Sequence, residues 1–305
     1  MLRRLEYKCH FCSECAGYGC VGELPGMGGA FDSANFQANV AGWKKLEKEL
    51  ASEEEALRAE NFDGEMPSLR LAPMTGAVEN VGYPDERAFY YDLLMAAATA
   101  GFRLALGDGT PDEKLLYGIE AMKATRQFYP DIQAAVFIKP YANEKIFERM
   151  EWAREVAEFL GVDIDSYNIV TMRNKAKLEK KTATQLKELK QKAEKPFMIK
   201  GLFTPEDVEL VREVKPDVAI ISNHGGRIET VRGSTAEFLK NYGKELRSNC
   251  GQLWVDSGLR TRKDILTASR FGIKEVMIGR PIVTALCRDG VKGVKKVAET
   301  LGGNS

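Results

Sequence analysis

The sequence predicts an α/β fold, a (β/α)8 TIM barrel with an N-terminal cysteine-rich arm and helix, and three observations lead there. From about Leu69 onward, short apolar runs alternate with longer stretches of helical period, the pattern of parallel strands covered by helices. The alternation runs eight times in succession. Several of the helical stretches open with Thr, Ser or Pro-Asp and carry acids in their first turn, as helix starts do. A length of 305 residues suits one such barrel with a small appendage.

The strand candidates, in order, are LRLAPM, FRLAL, IQAAVFI, YNIVTM, PFMIKG, VAIISN, QLWVDS and EVMIGR. The helical candidates include PDERAFYYDLLMAAATA after the first strand, the long NEKIFERMEWAREVAEFLG after the third, TPEDVELVREV after the fifth and TRKDILTASRFG after the seventh. Residues 67–305 make the barrel. Residues 1–66 read as an arm packed on it, made of a cysteine stretch, the turn GELPGMGGAF and a helix from about Phe36 to Asn61.

Lysine plus arginine and aspartate plus glutamate balance at 44 each, which leaves no net charge to draw the chain to a phosphate backbone or an anionic membrane. Nucleic acid and membrane are therefore not the expected partners. The start, MLRRLEYKCHFC, has no apolar run behind its arginines, and no later segment approaches a membrane span, so a cytoplasmic protein is expected.

In a reducing compartment clustered cysteines serve metal or redox chemistry more often than disulfides. Cys9, Cys12, Cys15 and Cys20 have the spacing C-x2-C-x2-C-x4-C, which resembles the loop that wraps a [4Fe-4S] cluster, without the proline that usually follows it. Structural zinc is the alternative, although a second two-cysteine knuckle is missing, and a metal-free loop is the third reading. A cluster here would either relay electrons or staple the arm to the barrel. Cys250 and Cys287 read as buried, inert thiols.

The strand ends carry the remaining chemistry, because barrel sites lie in the loops after each strand's C-terminal end. His224, one of two histidines, follows the sixth strand in IISNHGGR and suits a general base. Gly225 and Gly226 allow a tight turn and close approach to a ligand, and Arg227 offers a planar fork for a carboxylate. Lys200 ends the fifth strand, where a buried ammonium implies an anionic partner. Asp256, Gly258 and Arg260 follow the seventh strand, and Gly279 and Arg280 the eighth, where such barrels hold phosphate.

IKG, SNHGGR, VDSGLR and IGRP, in this order, resemble the FMN-dependent α-hydroxy-acid oxidase and dehydrogenase family over about Pro196 to Pro281. LAPMTGA, residues 71–77, is similar to the family's first strand, whose backbone lies against the flavin. The N-terminal arm resembles an anaerobe-type subgroup with four cysteines. The resemblance implies FMN as cofactor, with Lys200 beside the flavin N1, His224 as the base, Arg227 on the substrate carboxylate, and Gln133 touching the flavin. It also implies that Asp256, Gly258, Arg260, Gly279 and Arg280 hold the ribityl chain and phosphate.

Three positions depart from the family pattern. Ala135 stands where a tyrosine is usual, and Arg173 is the nearest substitute for a second carboxylate-binding arginine. The fourth strand, read as ending in NIVTMRNK, lacks the aspartate that pairs with the histidine, which leaves Asp108 as the alternative acid. The expected activity is oxidation of a small 2-hydroxy acid to the 2-oxo acid, with a redox protein as acceptor if the cysteines hold iron and sulfur. The alternatives are another reaction on the same barrel, such as an isomerase or reductase, and a non-catalytic flavin and cluster carrier. The family's habit of forming symmetric tetramers suggests a homo-oligomer.

Overall fold

A computed structural model of the chain describes residues 34–56, 66–80, 83–169, 176–228 and 230–302. The four clustered cysteines and Arg173 lie outside the described residues. The first element is helix α1 (Ala34–Ala56), followed by β1 (Ser68–Leu71), α2 (Ala77–Asn80), α3 (Glu86–Thr99), β2 (Leu104–Gly107), α4 (Glu113–Thr125), β3 (Ala134–Ile138) and α5 (Asn143–Ala153). Then come β4 (Ala157–Asp163), α6 (Ala183–Lys192), β5 (Phe197–Leu202), α7 (Pro205–Val214), β6 (Val218–Ile221) and α8 (Thr235–Ser248). The chain continues through β7 (Gln252–Val255), α9 (Arg262–Ser269), β8 (Glu275–Ile278), α10 (Arg280–Asp289) and α11 (Val291–Leu301).

All eight strands run parallel in sequence order, with β8 pairing β1. Backbone bonds from Leu71 N–H to the Arg103 carbonyl (2.8 Å) and from Arg103 N–H to the Leu69 carbonyl (2.9 Å) close β1 onto β2. The result is the (β/α)8 barrel the alternation predicted. Thr182, Thr204 and Thr261 cap α6, α7 and α9, and in each case the third helical residue answers with a side chain to the cap's own amide. No helix among the described residues is long and apolar enough to cross a membrane.

One strand differs from expectation. The stretch read as a single helix, residues 143–161, breaks after Ala153, and its second half becomes β4. Of the expected fourth strand YNIVTM, Tyr167 and Asn168 lie in a short 3-10 turn, Ser166–Asn168. The physical reason is burial. β4 is almost entirely enclosed, so its sequence AEFLGVD carries no inside-outside alternation to set it apart from a helix.

The barrel interior is filled by Ala105, Ala135, Phe137, Phe159, Met198 and Trp254 among others. At the end where the strands begin, Arg70 is buried against the Phe159 and Trp254 rings and donates from Nε to Glu275 (2.5 Å) and from Nη2 to Glu158 (3.0 Å). This pair plugs the floor.

Helix α1 bears on the opposite end. Trp43 Nε1 donates to the Ser257 carbonyl (2.9 Å), and Asn39 and Asn223 exchange side-chain hydrogen bonds (2.8 and 3.1 Å). Asn35 Nδ2 donates to the carbonyls of Ile228 and Val231 (both 2.6 Å). The helix lies so close that a Cβ on Gly226 (φ +88°) would meet the Phe36 amide at 2.5 Å, and one on Gly258 (φ +92°) would meet the Asn39 backbone at 2.6 Å. These two glycines make room for α1, and Gly258 also lines the cavity at the strands' C-terminal ends.

Candidate active site

The strands' C-terminal ends open into one cavity, and residues from the end of every strand or the loop after it line its wall. At its base Asp163, the last residue of β4, accepts from Lys139 Nζ on Oδ2 and from Lys200 Nζ on Oδ1, each at 3.0 Å. Lys200 Nζ also stands 3.6 Å from Asp256. Burial opposes every charge here, but the attraction wins: Asp163 is held well below the usual carboxylate range by Lys200 and its neighbours, and Lys200 is raised by Asp163 and Asp256.

His224 opens the 3-10 turn His224–Gly226 after β6, with φ +58°, a backbone region few non-glycine residues occupy. Its amide donates to Ser222 Oγ (3.1 Å), and Asn223 Oδ1 accepts from the Gly226 amide (3.0 Å), which together fix the turn. His224 Nδ1 lies 3.1 Å from Asp165 Oδ1 and 3.6 Å from Asp163 Oδ2. Burial pushes the imidazole well below its ordinary range, and Lys200, Lys139 and Arg227 add to the shift against the opposing pull of Asp163. The ring is neutral at neutral pH. With Nδ1 engaged by a carboxyl, Nε2 is the nitrogen left to accept a proton.

The acid partner that the sequence seemed to lack is therefore present. It was hidden by the misplaced fourth strand, since β4 ends in the acid pair of VDID. Asp108 is committed elsewhere, accepting from Arg149 Nε (3.0 Å) and from the amides of Gly109 (2.8 Å) and Lys139 (3.2 Å).

A second part of the wall is cationic. Burial lowers both Arg227 and Arg280, and the like charges of Arg227 and Arg260 press Arg280 further down. Arg280 Nη1 donates to the Gly225 carbonyl (2.9 Å) and its guanidinium stacks on the Phe36 ring. Arg280 also opens α10, whose N-cap Gly279 offers no side-chain acceptor to the first amides. Crowded guanidiniums beside an uncapped helix N-terminus suit a polyanionic group.

His224, Arg227, Lys200, Asp256, Gly258, Arg260, Gly279 and Arg280 all line this one cavity. Gln133 does not. It precedes β3 at the floor end, six positions and about 20 Å of strand rise before the mouth residue Lys139. Ala135 likewise points into the barrel core, so the mouth of β3 is furnished by Phe137 and Lys139 instead. Sequence reasoning missed both. A lysine directly after an apolar run was the available signal, the same one that flagged Lys200.

Among the described residues, Asp163, Asp165 and His224 bring ligand atoms within 4.8 Å of one another, the spacing of a cation site. Two ammoniums already supply the counter-charge there. The cluster is an ion-paired network, not a metal centre.

The model of the family described as FMN-dependent dehydrogenase matches residues 112–304. The chain belongs to that family. This FMN-dependent dehydrogenase family member is 40% identical over 120 residues to a 2-hydroxyacid oxidase of Dictyostelium discoideum, which covers 39% of the chain and 31% of the relative. It is 35% identical over 106 residues to 2-hydroxyacid oxidase 2 of Bos taurus, covering 35% of the chain and 30% of the relative. The matches thus span under a third of those relatives' length. Among solved structures, a mandelate oxidase variant with (S)-mandelic acid superposes with a TM-score of 0.63 at 18% identity, over 90% of this chain and 84% of the other. The same enzyme with an FMN adduct gives 0.61 at 17% identity, over 90% and 86%. At such identities the likeness is one of fold.

Proposed function

We propose that the cavity binds FMN and that the protein oxidises a small 2-hydroxy acid to the corresponding 2-oxo acid. The observation that carries this reading is a half-buried His224 whose Nδ1 faces a carboxyl and whose imidazole is held below its ordinary range, set beside Arg227 in the same cavity as a cluster of guanidiniums. Arg260, Arg280 and the first amides of α10 fit the phosphate, because their crowded positive charge favours a dianion. Lys200, buried and charged, fits the electron-rich edge of a reduced ring. When bound, FMN supplies the two-electron acceptor.

The chain's own residues supply the rest. Arg227 anchors the substrate carboxylate and fixes the α-carbon relative to His224. His224 takes the substrate proton on Nε2, and the charge it gains is stabilised by the ionised Asp163 at 3.6 Å. Phe137 and Met277 give the cavity an apolar flank for a short side chain. The four-cysteine spacing supports an iron-sulfur route for the electrons toward a redox protein, with zinc as the other reading.

The test is an absorption spectrum of FMN-loaded protein without oxygen, followed while 2-hydroxy acids are added. Flavin bands that bleach with one acid are expected. Failure to take up FMN, or bands that persist with every acid, overturns the assignment. A broad absorbance beneath the flavin bands, with stoichiometric iron and sulfide, identifies the cysteine ligand as iron-sulfur.

A further inference from the structure

Three groups share the Asp163 carboxylate. Lys200 Nζ takes its Oδ1 at 3.0 Å, while Lys139 Nζ at 3.0 Å and His224 Nδ1 at 3.6 Å both face its Oδ2. Of those two, the ammonium alone is within hydrogen-bond reach of the oxygen. The position of Lys139 is built. It directly follows β3, its amide donates to Asp108 Oδ2 (3.2 Å), and its carbonyl accepts from the Tyr141 amide (2.8 Å). Arg149 Nε holds Asp108 in turn (3.0 Å), with both side chains fully buried. Asp108, which the sequence offered as the partner of His224, instead fixes the residue whose ammonium ends on Asp163. The Lys139 side chain is 9% exposed and lines the mouth cavity.

Charge decides what this placement does. Lys139 and Lys200 bring two positive charges, and Asp163 and Asp256, the latter 3.6 Å from Lys200, bring two negative ones. Burial and the charge of Asp163 push the Asp165 carboxyl well above the usual range, which favours its uncharged form. The set is thus balanced while His224 is uncharged. Without Lys139 it would hold one negative charge in excess beside the ring, and a proton on His224 would be the nearest way to offset it.

We propose that Lys139 is a positioning residue: it occupies the Asp163 oxygen that faces His224 and so keeps that carboxylate from holding a proton on the imidazole before substrate arrives. The proposal rests on the assignment of His224 as the base. Asp163 at 3.6 Å still attracts the imidazolium formed in turnover. What Lys139 removes is the surplus negative charge that would leave the ring already protonated and unable to accept. Burial lowers the imidazole and Asp163 raises it, and Lys200, Lys139 and Arg227 act in the same direction as burial. The charged groups around the ring are Asp163 at the end of β4 and Asp165 after it, Lys139 from β3, Lys200 from β5 and Arg227 on its own loop. Behind them stand Asp256 after β7, next to Lys200, and Arg280 of α10, on the neighbouring Gly225 carbonyl. Among the cations named, Lys139 is the one to which the proposed function gives no ligand, so its charge can be removed without dismantling the site.

The experiment removes that charge and reads His224 in two ways. The first is the imidazole titration by NMR in the full chain without substrate, which is simple to assign because the chain has two histidines. Wild-type His224 should titrate below its ordinary 6.5. Lys139→Met should raise the midpoint by about one unit or more, and Lys139→Arg, which keeps the charge, should leave it near the wild-type value. A wild-type midpoint at or above the ordinary value, an unmoved midpoint in Lys139→Met, or an equal rise in both variants overturns the proposal. Should Lys139→Met not fold, Lys139→Gln, which keeps a donor to Asp163 without the charge, carries the same expectation. The second is the pH dependence of substrate-driven flavin reduction: the acid limb of kcat/KM should move up with the titration in Lys139→Met and return in Lys139→Arg. A raised KM with an unmoved acid limb would place Lys139 on the substrate instead and overturn the positioning role. If no 2-hydroxy acid reduces the flavin, the functional assignment fails, while the titration still reports on Lys139.

Discussion

The floor and the mouth of this barrel both bury charge, and they do so in opposite ways. At the floor, Arg70 is balanced by Glu275 and Glu158, and aromatic rings cover the group. At the mouth, six cationic side chains line a cavity that contains three carboxylates, and His224 is left neutral among them. A satisfied ion pair is a structural part. An unbalanced cluster is unfavourable until something anionic arrives, so the surplus marks where a ligand belongs.

The largest expected effect is at the mouth. His224→Gln is expected to slow substrate-driven flavin bleaching by about 10²–10⁴-fold with FMN retained, read by stopped-flow absorbance. Bleaching at the wild-type rate would remove the base from the mechanism. At the floor, Arg70→Met leaves the buried Glu275 with only the half-exposed Arg103 at 3.1 Å as counter-charge and should lower stability by about 2–4 kcal/mol in denaturant titration. Adding Glu275→Leu should restore most of that loss, while the rate of flavin reduction per folded molecule stays unchanged throughout. A change in that rate would mean the two ends are coupled.

Arg280→Met sharpens the contrast from the other side. Flavin affinity should fall about 10–100-fold, as expected for loss of a charge-assisted contact, while the flavin-free protein stays at least as stable because a crowded cation has gone. Isothermal titration with FMN and a thermal melt without it separate the two.

A smaller effect follows from pH. His224 has a folded value below its ordinary 6.5, so the stability tied to its neutral form is present above that pH and is lost as pH falls through it. Asp163 acts in the same sense below 3.8, and Asp165, raised in the fold, acts in the opposite one, its contribution fading as pH rises. The His224 share of the melting temperature should therefore drop as the pH falls below about 6.5, against a gain from Asp165 over the same range, and is read as the difference from a His224→Gln protein.

Seven of the eight strands were legible because each is a short apolar run set off from a helix by a turn or a capping residue. The fourth was not, since a strand enclosed on both faces shows no period, and its Ala, Glu, Phe and Leu extend a helical pattern without interruption. That slip removed Asp163 and Asp165 from view and made the site look incomplete. Lys200, His224, Arg227 and the two phosphate-side loops were legible from position alone, because each directly follows a recognisable strand. Gln133 was misplaced for the converse reason: it was matched by residue type, and nothing in its neighbourhood said which end of β3 it occupied. The contributions of Asn35, Asn39 and Trp43 could not have been read, since sequence gives no hint that α1 lies across the loops after β6 and β7.

The position of α1 also orders events in time. Asn39 and Trp43 bond to Asn223 and Ser257, partners 184 and 214 positions further along the chain. As the polypeptide is made, this helix emerges early and must wait for almost the whole barrel before its partners exist. Contacts of such separation form late because the entropy of closing the intervening chain is lost before they can repay it. In a refolding experiment the barrel's far-ultraviolet signal should thus return before the capacity to bind flavin, and competence should appear with the burial of Trp43.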